Sequence, residues 1–202
     1  MMHFKNISLL AFVLFLSIDS IAAEDPFEDI NRKVWAFNEF LDDNFAKPAA
    51  EVYTSIAPDF VEIGLNNFFR NINELDNTAN QLLQGHPLLA LNDFSRFIIN
   101  STIGLAGFID IGSKLGLERH DEDFGQTLAH YGWSNSAYLV VPLLGPSTVR
   151  DASGFIIDTV FLDPIAYIDN VRVRNQVRIL QFIDARAELL NASAILDQAA
   201  LD

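Results

Sequence analysis

Apolar residues recur along this chain at steps of three and four, the spacing that lines one face of an α-helix. Ile30, Val34, Phe37, Leu41 and Phe45 form the first stripe, opened by Asp25-Pro26 as N-cap and first-turn proline and closed by Lys47-Pro48. A second begins near Pro58-Asp59, with Val61, Leu65, Phe68, Phe69 and Ile72 on one side. A third runs from about Glu74 to Gln84, and Gly85 supplies the residue past its end. His86-Pro87 opens the longest apolar stretch, Leu88 to Ile111, in which Asp93 and Arg96, one turn apart, mark a polar side and Gly104 marks a break. A short helix follows over Asp121–Tyr131. Pro146–Val160 and Val171–Asn191 are also helical by spacing, the last with four arginines mostly opposite its apolar face.

Strand-like alternation is nearly missing. Tyr138 to Val141 reads as a short extended segment without an evident partner. The pattern predicts an all-α single domain of seven or eight amphipathic helices, interrupted by one apolar, Pro/Gly-rich loop. That loop, Tyr138, Leu139, Val140, Val141, Pro142, Leu143 and Leu144 continuing into Gly145-Pro146-Ser147, carries no charge. It is too short to cross a bilayer and too broken by proline to form a long helix. Composition fits either a buried core element or a surface that meets lipid from one side.

The N-terminus changes the setting. His3 and Lys5 precede an apolar run, Ile7 to Leu16, and Ser20-Ile21-Ala22 fits the small-x-small rule for signal cleavage. Residues 1–23 are expected to be a secretory signal and 24–202 the mature domain. No cysteine occurs, which excludes disulfides, thiolate nucleophiles and thiolate metal sites, and also a lipoprotein anchor on a first mature cysteine. Seventeen phenylalanines offer material for a core instead. The formal charge of −14 argues against nucleic acid and against attraction to anionic headgroups, so any membrane contact has to be apolar.

Catalytic constellations are not evident. There is no G-x-S-x-G elbow, no phosphate-binding glycine loop, and His86, His120 and His130 match no familiar ligand spacing. The acids after His120, Asp121 to Asp123, suit a helix N-terminus better than a metal. No enzyme activity, metal or cofactor is expected.

An ordered series of short motifs is more specific. Asp25-Pro26-Phe27-Glu28, Asn31-Arg32, Phe37-Asn38, Gly64-Leu65-x-Asn67-Phe68 and Asn80-x-Leu82-Leu83-Gln84-Gly85 come first. Arg96-Phe97-x-x-Asn100-Ser101-Thr102-x-Gly104, Gly107-x-x-Asp110, Phe124-Gly125-Gln126-Thr127-Leu128, Tyr131-Gly132, Leu143-Leu144-Gly145-Pro146-Ser147 and Arg150-Asp151 follow. The set, spanning about Asp25 to Asp197, resembles the MlaA (VacJ) family of outer-membrane phospholipid-transport proteins.

The resemblance implies a ring of amphipathic helices in the periplasmic leaflet of the outer membrane. Its channel would remove mislocalised phospholipids from the outer leaflet and pass them to a soluble periplasmic carrier, beside a trimeric porin. It makes Asn100, Thr102, Gln126 and Thr127 candidates for the channel lining, and the 138–144 loop a lipid-facing or gating element. Gly104, Gly107, Gly125, Gly132 and Gly145 become candidates for close packing or bending, each equally at home in an ordinary turn. Two departures stand out. The family's lipobox cysteine is missing, and the chain stops at Asp202, short of the usual aromatic- and arginine-containing tail. A soluble periplasmic adaptor for a protein partner is the alternative.

Overall fold

A computed structural model describes residues 25–190, 192, 193 and 195, so the expected signal segment lies outside the described residues. Helix α1, Glu28–Leu41, begins where Asp25 accepts the Phe27 N–H at 2.9 Å and two acids occupy the first turn. It does not stop at Lys47-Pro48. A π-turn over Asp42–Ala46 carries it into α2, Lys47–Ile56, with the Lys47 N–H bonded to the Asp42 carbonyl. The wider turn leaves Pro48, which has no N–H to donate, in the first turn of the next segment, where proline is tolerated.

The two helices expected on either side of Glu74 are one. Helix α3, Asp59–Leu83, runs 25 residues without interruption. Its middle is rich in asparagine, a weak helix former, and that hides the continuity. It ends in a Schellman arrangement: Gly85 at φ 80° bonds Leu82 O, and His86 N bonds Gln81 O. Helix α4, Pro87–Thr102, folds back antiparallel along it, so that Glu74 meets Arg96 and Asn71 meets Ser101. Past Thr102 the chain turns sharply through Leu105, Ala106 and Gly107, all with left-handed backbone.

Short α5, Ile111–Lys114, and α6, Phe124–His130, each start on an aspartate cap, Asp110 and Asp123. The expectation of helix from Pro146 fails at its start. Gly145–Thr148 is strand β2, the partner of β1, Tyr138–Val141, in an antiparallel hairpin with Val141 opposite Gly145 and Tyr138 opposite Thr148. Pro146 fits there because β2 is an edge strand. Helix α7, Val149–Ile157, starts on the Thr148 cap and passes through a second π-turn, Asp158–Leu162, and a 3₁₀ turn, Pro164–Tyr167. Helix α8, Val171–Glu188, then closes against α2 and α3.

The helices are amphipathic as expected, but their polarity is reversed. Among the most buried described residues, polar side chains outnumber apolar ones: Asn71, Glu74, Asn77, Asn80 and Gln81 of α3 and Asp93, Arg96 and Asn100 of α4 all point inward. Asp93 and Arg96 do mark a polar side, and that side is the interior. Leu88, Leu91 and Ile98 of α4, Ile103 and Leu105 beyond it, and Phe40, Ile56, Phe60 and Phe161 elsewhere face outward. No helix among the described residues is long and apolar enough to cross a membrane.

Candidate functional site

The 138–147 stretch folds over α1, and two asparagines of that helix hold it. Asn31 Oδ1 accepts the Val140 N–H at 2.7 Å and its amide donates to Tyr138 O at 3.3 Å. Asn38 Oδ1 accepts the Leu143 N–H at 2.8 Å and its amide donates to Val141 O at 3.0 Å. Seven residues of helix rise about 10.5 Å and three of strand about 10 Å, so one pair of side chains serves the edge of β1 at both ends. Helix α1 thereby stands in for a third strand. Asp25 fixes the first clamp by accepting from the Asn31 amide at 2.8 Å.

The turn itself is strained. Leu144 N–H bonds Val141 O at 3.2 Å, and Leu143, the third residue of that turn, sits at φ 69°. A leucine held there costs roughly 1–2 kcal/mol where glycine would cost none. The leucine side chain is 60% exposed at the tip, beside an exposed Leu144, whereas Val140 is buried. The apolar loop is therefore part core and part surface.

Beneath the tip lies a cavity of about 830 Å³ between the hairpin, the α1–α2 bend and α8. Leu143, Leu144, Trp35, Phe45 and Phe182 give it apolar walls, while Lys47, Asp42 and Arg186 give it a charged end. Arg186 grips Asp42 with two bonds, 2.6 and 2.8 Å. That guanidinium holds the Asp42 carboxyl below the usual range, against the opposing effect of its burial. The cavity thus pairs apolar surface with fixed charges, the combination an amphiphile needs.

The interior between α3 and α4 is polar and closed. Arg96, 1% exposed, donates to Glu74 at 2.8 Å, to Ser113 Oγ at 3.1 Å, to Leu117 O at 2.8 Å and, from Nη2, to both oxygens of Asp110 at 3.2 Å, so that all three of its nitrogens are engaged. Burial raises the Glu74 carboxyl despite the Arg96 bond. Burial opposes ionisation of Asp110 too, but the Ser113 hydroxyl and N–H, with Arg96 and Asn100, overcome it and bring that carboxyl down to about 2. His120 turns inward to Asp93 at 2.6 Å, Glu122 accepts from Gln84 at 2.8 Å, and Asp123 caps α6. The four residues His120 to Asp123 therefore do not converge on one point.

Of the four residues expected on a channel, two are inside and bonded. Asn100 donates to Asp110 and accepts the Gly112 N–H at 2.8 Å, while Thr127 Oγ1 donates to Asn80 at 2.9 Å. Thr102 is exposed and bonds back to Ile98 O, and Gln126 is exposed and bonds Asp121 O. None of the four lines the large cavity. Gly125 lies backbone to backbone against Gly154 where α6 crosses α7, and Gly104 is enclosed by the Asn100 and Ile109 carbonyls. Gly107 packs on Asn71, whereas Gly132 and Gly145 sit in open turns at φ 109° and 84°. In the sequence, Asn31 and Asn38 stand out only as members of the motif series. Their spacing of seven, two helical turns, was the available sign that they serve one partner.

Comparison with known proteins fits this geometry. The chain is 37% identical over 143 residues to an uncharacterised protein of Rickettsia typhi, and spans 57% of that relative's length. It is 34% identical over 179 residues to the intermembrane phospholipid transport system lipoprotein MlaA of Haemophilus influenzae, and 32% over 185 residues to that of Escherichia coli K12. Those alignments cover 87% and 90% of this chain and 71% and 73% of the relatives. A solved structure from work on the maintenance of bacterial outer membrane lipid asymmetry superposes with a TM-score of 0.73 at 30% identity, covering 86% of this chain and 88% of that one. The sequence model of the MlaA lipoprotein family matches residues 23–202, and the chain belongs to that family.

Proposed function

We propose that this chain is a non-enzymatic component of phospholipid transport, lodged in the periplasmic leaflet of the outer membrane. There it takes mislocalised phospholipid from the outer leaflet and hands it to a soluble periplasmic carrier. The observation that carries this reading is the reversed polarity of the helices: polar faces bonded to one another inside, large apolar side chains outside. Exposed to water, such a surface is unfavourable by roughly 25 cal/mol per Å². Against acyl chains that penalty vanishes. Amphipathic helices, none of them among the described residues both long and apolar enough to span, suit a position along the interface, in keeping with one leaflet rather than two.

The names of the Haemophilus influenzae and Escherichia coli relatives support the substrate class. The amphipathic cavity supports a path in which headgroup and chains meet different walls, since moving a headgroup through apolar surroundings without partners costs several kcal/mol. In this reading the hairpin tip opens and closes the cavity, and a porin and a periplasmic carrier complete the route. No cysteine occurs in the 202 residues, so the apolar belt is proposed as the main hold on the membrane.

Cells lacking the chain are the test. Their outer-leaflet phospholipid, read by its susceptibility to added phospholipase, rises and returns to normal when the wild-type chain is restored. Unchanged susceptibility in its absence contradicts the assignment.

A further inference from the structure

Helix α8 faces two different spaces. Phe182 and Arg186 border the large cavity, whereas Gln181, Asp184 and Glu188 border a polar cleft of about 280 Å³ whose other wall is α3. At roughly 100° of rotation per residue the two sets lie on opposite sides of the helix. The loop before α6 contributes Arg119 and Asp121 to the cleft, and α3 contributes Asn66, Arg70 and Asn73.

Charges in this cleft come in opposite pairs. Arg70 meets Glu188 at 2.9 Å with both side chains nearly half exposed. Arg119 meets Asp121 at 3.6 Å, with Asp121 almost wholly in solvent. The floor carboxylate is different: Asp184 is buried and accepts from the Tyr53 hydroxyl at 2.9 Å and the Asn66 amide at 3.4 Å. It has settled partners, whereas exposed ion pairs contribute little and open at little cost.

We propose that this cleft receives a zwitterionic headgroup, a phosphate bearing a primary ammonium two carbons away, as in phosphatidylethanolamine. The proposal rests on the phospholipid-transport reading and adds the headgroup class. Binding is an exchange of partners. The phosphate takes the guanidinium groups of Arg70 and Arg119, and the ammonium takes the carboxylates those arginines release. Every charge keeps an opposite, so desolvation leaves none unpaired. An anionic headgroup with no ammonium takes the arginines and leaves Glu188 and Asp121 without partners. The whole molecule acts the same way, because a net charge of −14 repels anionic lipid and is neutral toward a zwitterion. A cleft of about 280 Å³ is of headgroup size, and in this proposal the acyl chains stay with the apolar exterior.

The test incubates the detergent-solubilised full chain with vesicles of equal parts phosphatidylethanolamine and phosphatidylglycerol, then counts bound lipid by mass spectrometry. Wild type should hold the zwitterion about fivefold over the anion, a ratio set by charge complementarity. Glu188→Gln should bring the ratio to about one or below by removing the ammonium acceptor, while phosphatidylglycerol uptake reports an intact fold. Arg70→Gln should lower zwitterion uptake, and Arg32→Gln, which breaks an exposed pair on α1, should change nothing. Equal uptake of both lipids by wild type overturns the headgroup assignment and leaves transport standing. No uptake of either lipid overturns both. Soluble phosphoethanolamine at millimolar concentration should compete with the vesicle lipid. If it binds while vesicle lipids show no preference, the cleft reads a free solute and the lipid assignment falls.

Discussion

The seam between α3 and α4 and the hairpin over α1 are both held by polar side chains, yet they are built to different ends. In the seam, each nitrogen of Arg96 bonds a fixed acceptor, and Glu74 and Asp93 are closed off from solvent. Removing any one group strands a charge in a dry interior. At the hairpin, two neutral amides hold a strand edge and a strained turn whose tip stands in the open. Losing the Asn38 bond frees the Leu143 peptide group, which solvent can reach, whereas the Asn31 bond to Val140 is itself buried. The seam is a rigid frame; the hairpin is a part that can move against it at modest cost.

The sharpest way to break that contrast is Arg96→Leu, which leaves Glu74 buried without its cation. It should cost about 3–5 kcal/mol, read from chemical unfolding in detergent by circular dichroism. The double replacement Arg96→Leu with Glu74→Gln should recover a large part of that loss. A cost for Arg96→Leu no greater than that of the hairpin variants would mean that water reaches the seam and that the frame is not dry.

Asp76, on the same helix, gives a smaller and pH-dependent effect. Burial, then the nearby Asp163 and Asp158, pushes its carboxyl up to about 7, and Asp76 Oδ1 has no hydrogen-bond partner. Because the folded state holds this proton more tightly than the unfolded state, stability falls as pH rises from about 4 to about 7. Asp76→Asn should therefore stabilise by about 2 kcal/mol more at pH 8 than at pH 4, allowing for partial solvent screening. Asp110 titrates in the opposite sense. Its carboxyl is held down to about 2, so its contribution is present at neutral pH and fades only as acid approaches that value. A pH-independent effect of Asp76→Asn would remove Asp76 as the titrating group.

At the hairpin, Asn38→Ala should cost about 1–2 kcal/mol and speed amide exchange at Leu143 far more than at Arg96 or Asn100. Uniform acceleration would mean that the hairpin and the seam open together. Smallest of all, Leu143→Asn should raise the thermal midpoint by an amount equivalent to about 0.5 kcal/mol, since asparagine accepts left-handed backbone better than leucine. A fall would show that the exposed leucine is held by apolar contact rather than tolerated in spite of strain.

What the sequence carried, and what it withheld, follows the same division. Spacings of three and four located most of the helices but missed α2 and α5; the Gly85 and Pro87 signals located ends that the structure shows, whereas α1 begins at Glu28, two residues past the expected first-turn proline. Lys47-Pro48 misled because a π-turn can place a proline in a first turn, and no side-chain pattern marks a π-turn. The break expected between Ile72 and Glu74 is absent: the asparagines around it bond partners far away in the chain, such as His120 O for Asn77, and the helix runs through. Strand β2 was hidden by its own composition, Gly-Pro-Ser-Thr, which reads as a turn and a cap.

The deeper limit concerns which way the helices face. Periodicity says which residues share a side, and it is identical for a helix packed on an apolar core in water and one packed on a polar core in lipid. Orientation came from bonded geometry, from Arg96 meeting Glu74 and Asp110 inside while Leu91 and Ile98 stand outside. The same limit applies to the candidate site. Asn100 and Thr127 were singled out by residue type, but their bonds to Asp110 and Asn80 use them within the frame.

The most direct test of the account is where the apolar belt sits. Because the sequence contains no cysteine, a single one can be introduced and labelled at Leu91, Ile98 or Phe161, with the exposed Asp169 as the polar control. Each labelled chain is placed in phospholipid vesicles containing acyl chains that carry a nitroxide quencher. The account predicts strong quenching at the three apolar positions and little at Asp169. Labels at Leu91, Ile98 and Phe161 that escape the lipid quencher and yield to aqueous iodide would contradict it, because the outward apolar faces would then meet water rather than acyl chains.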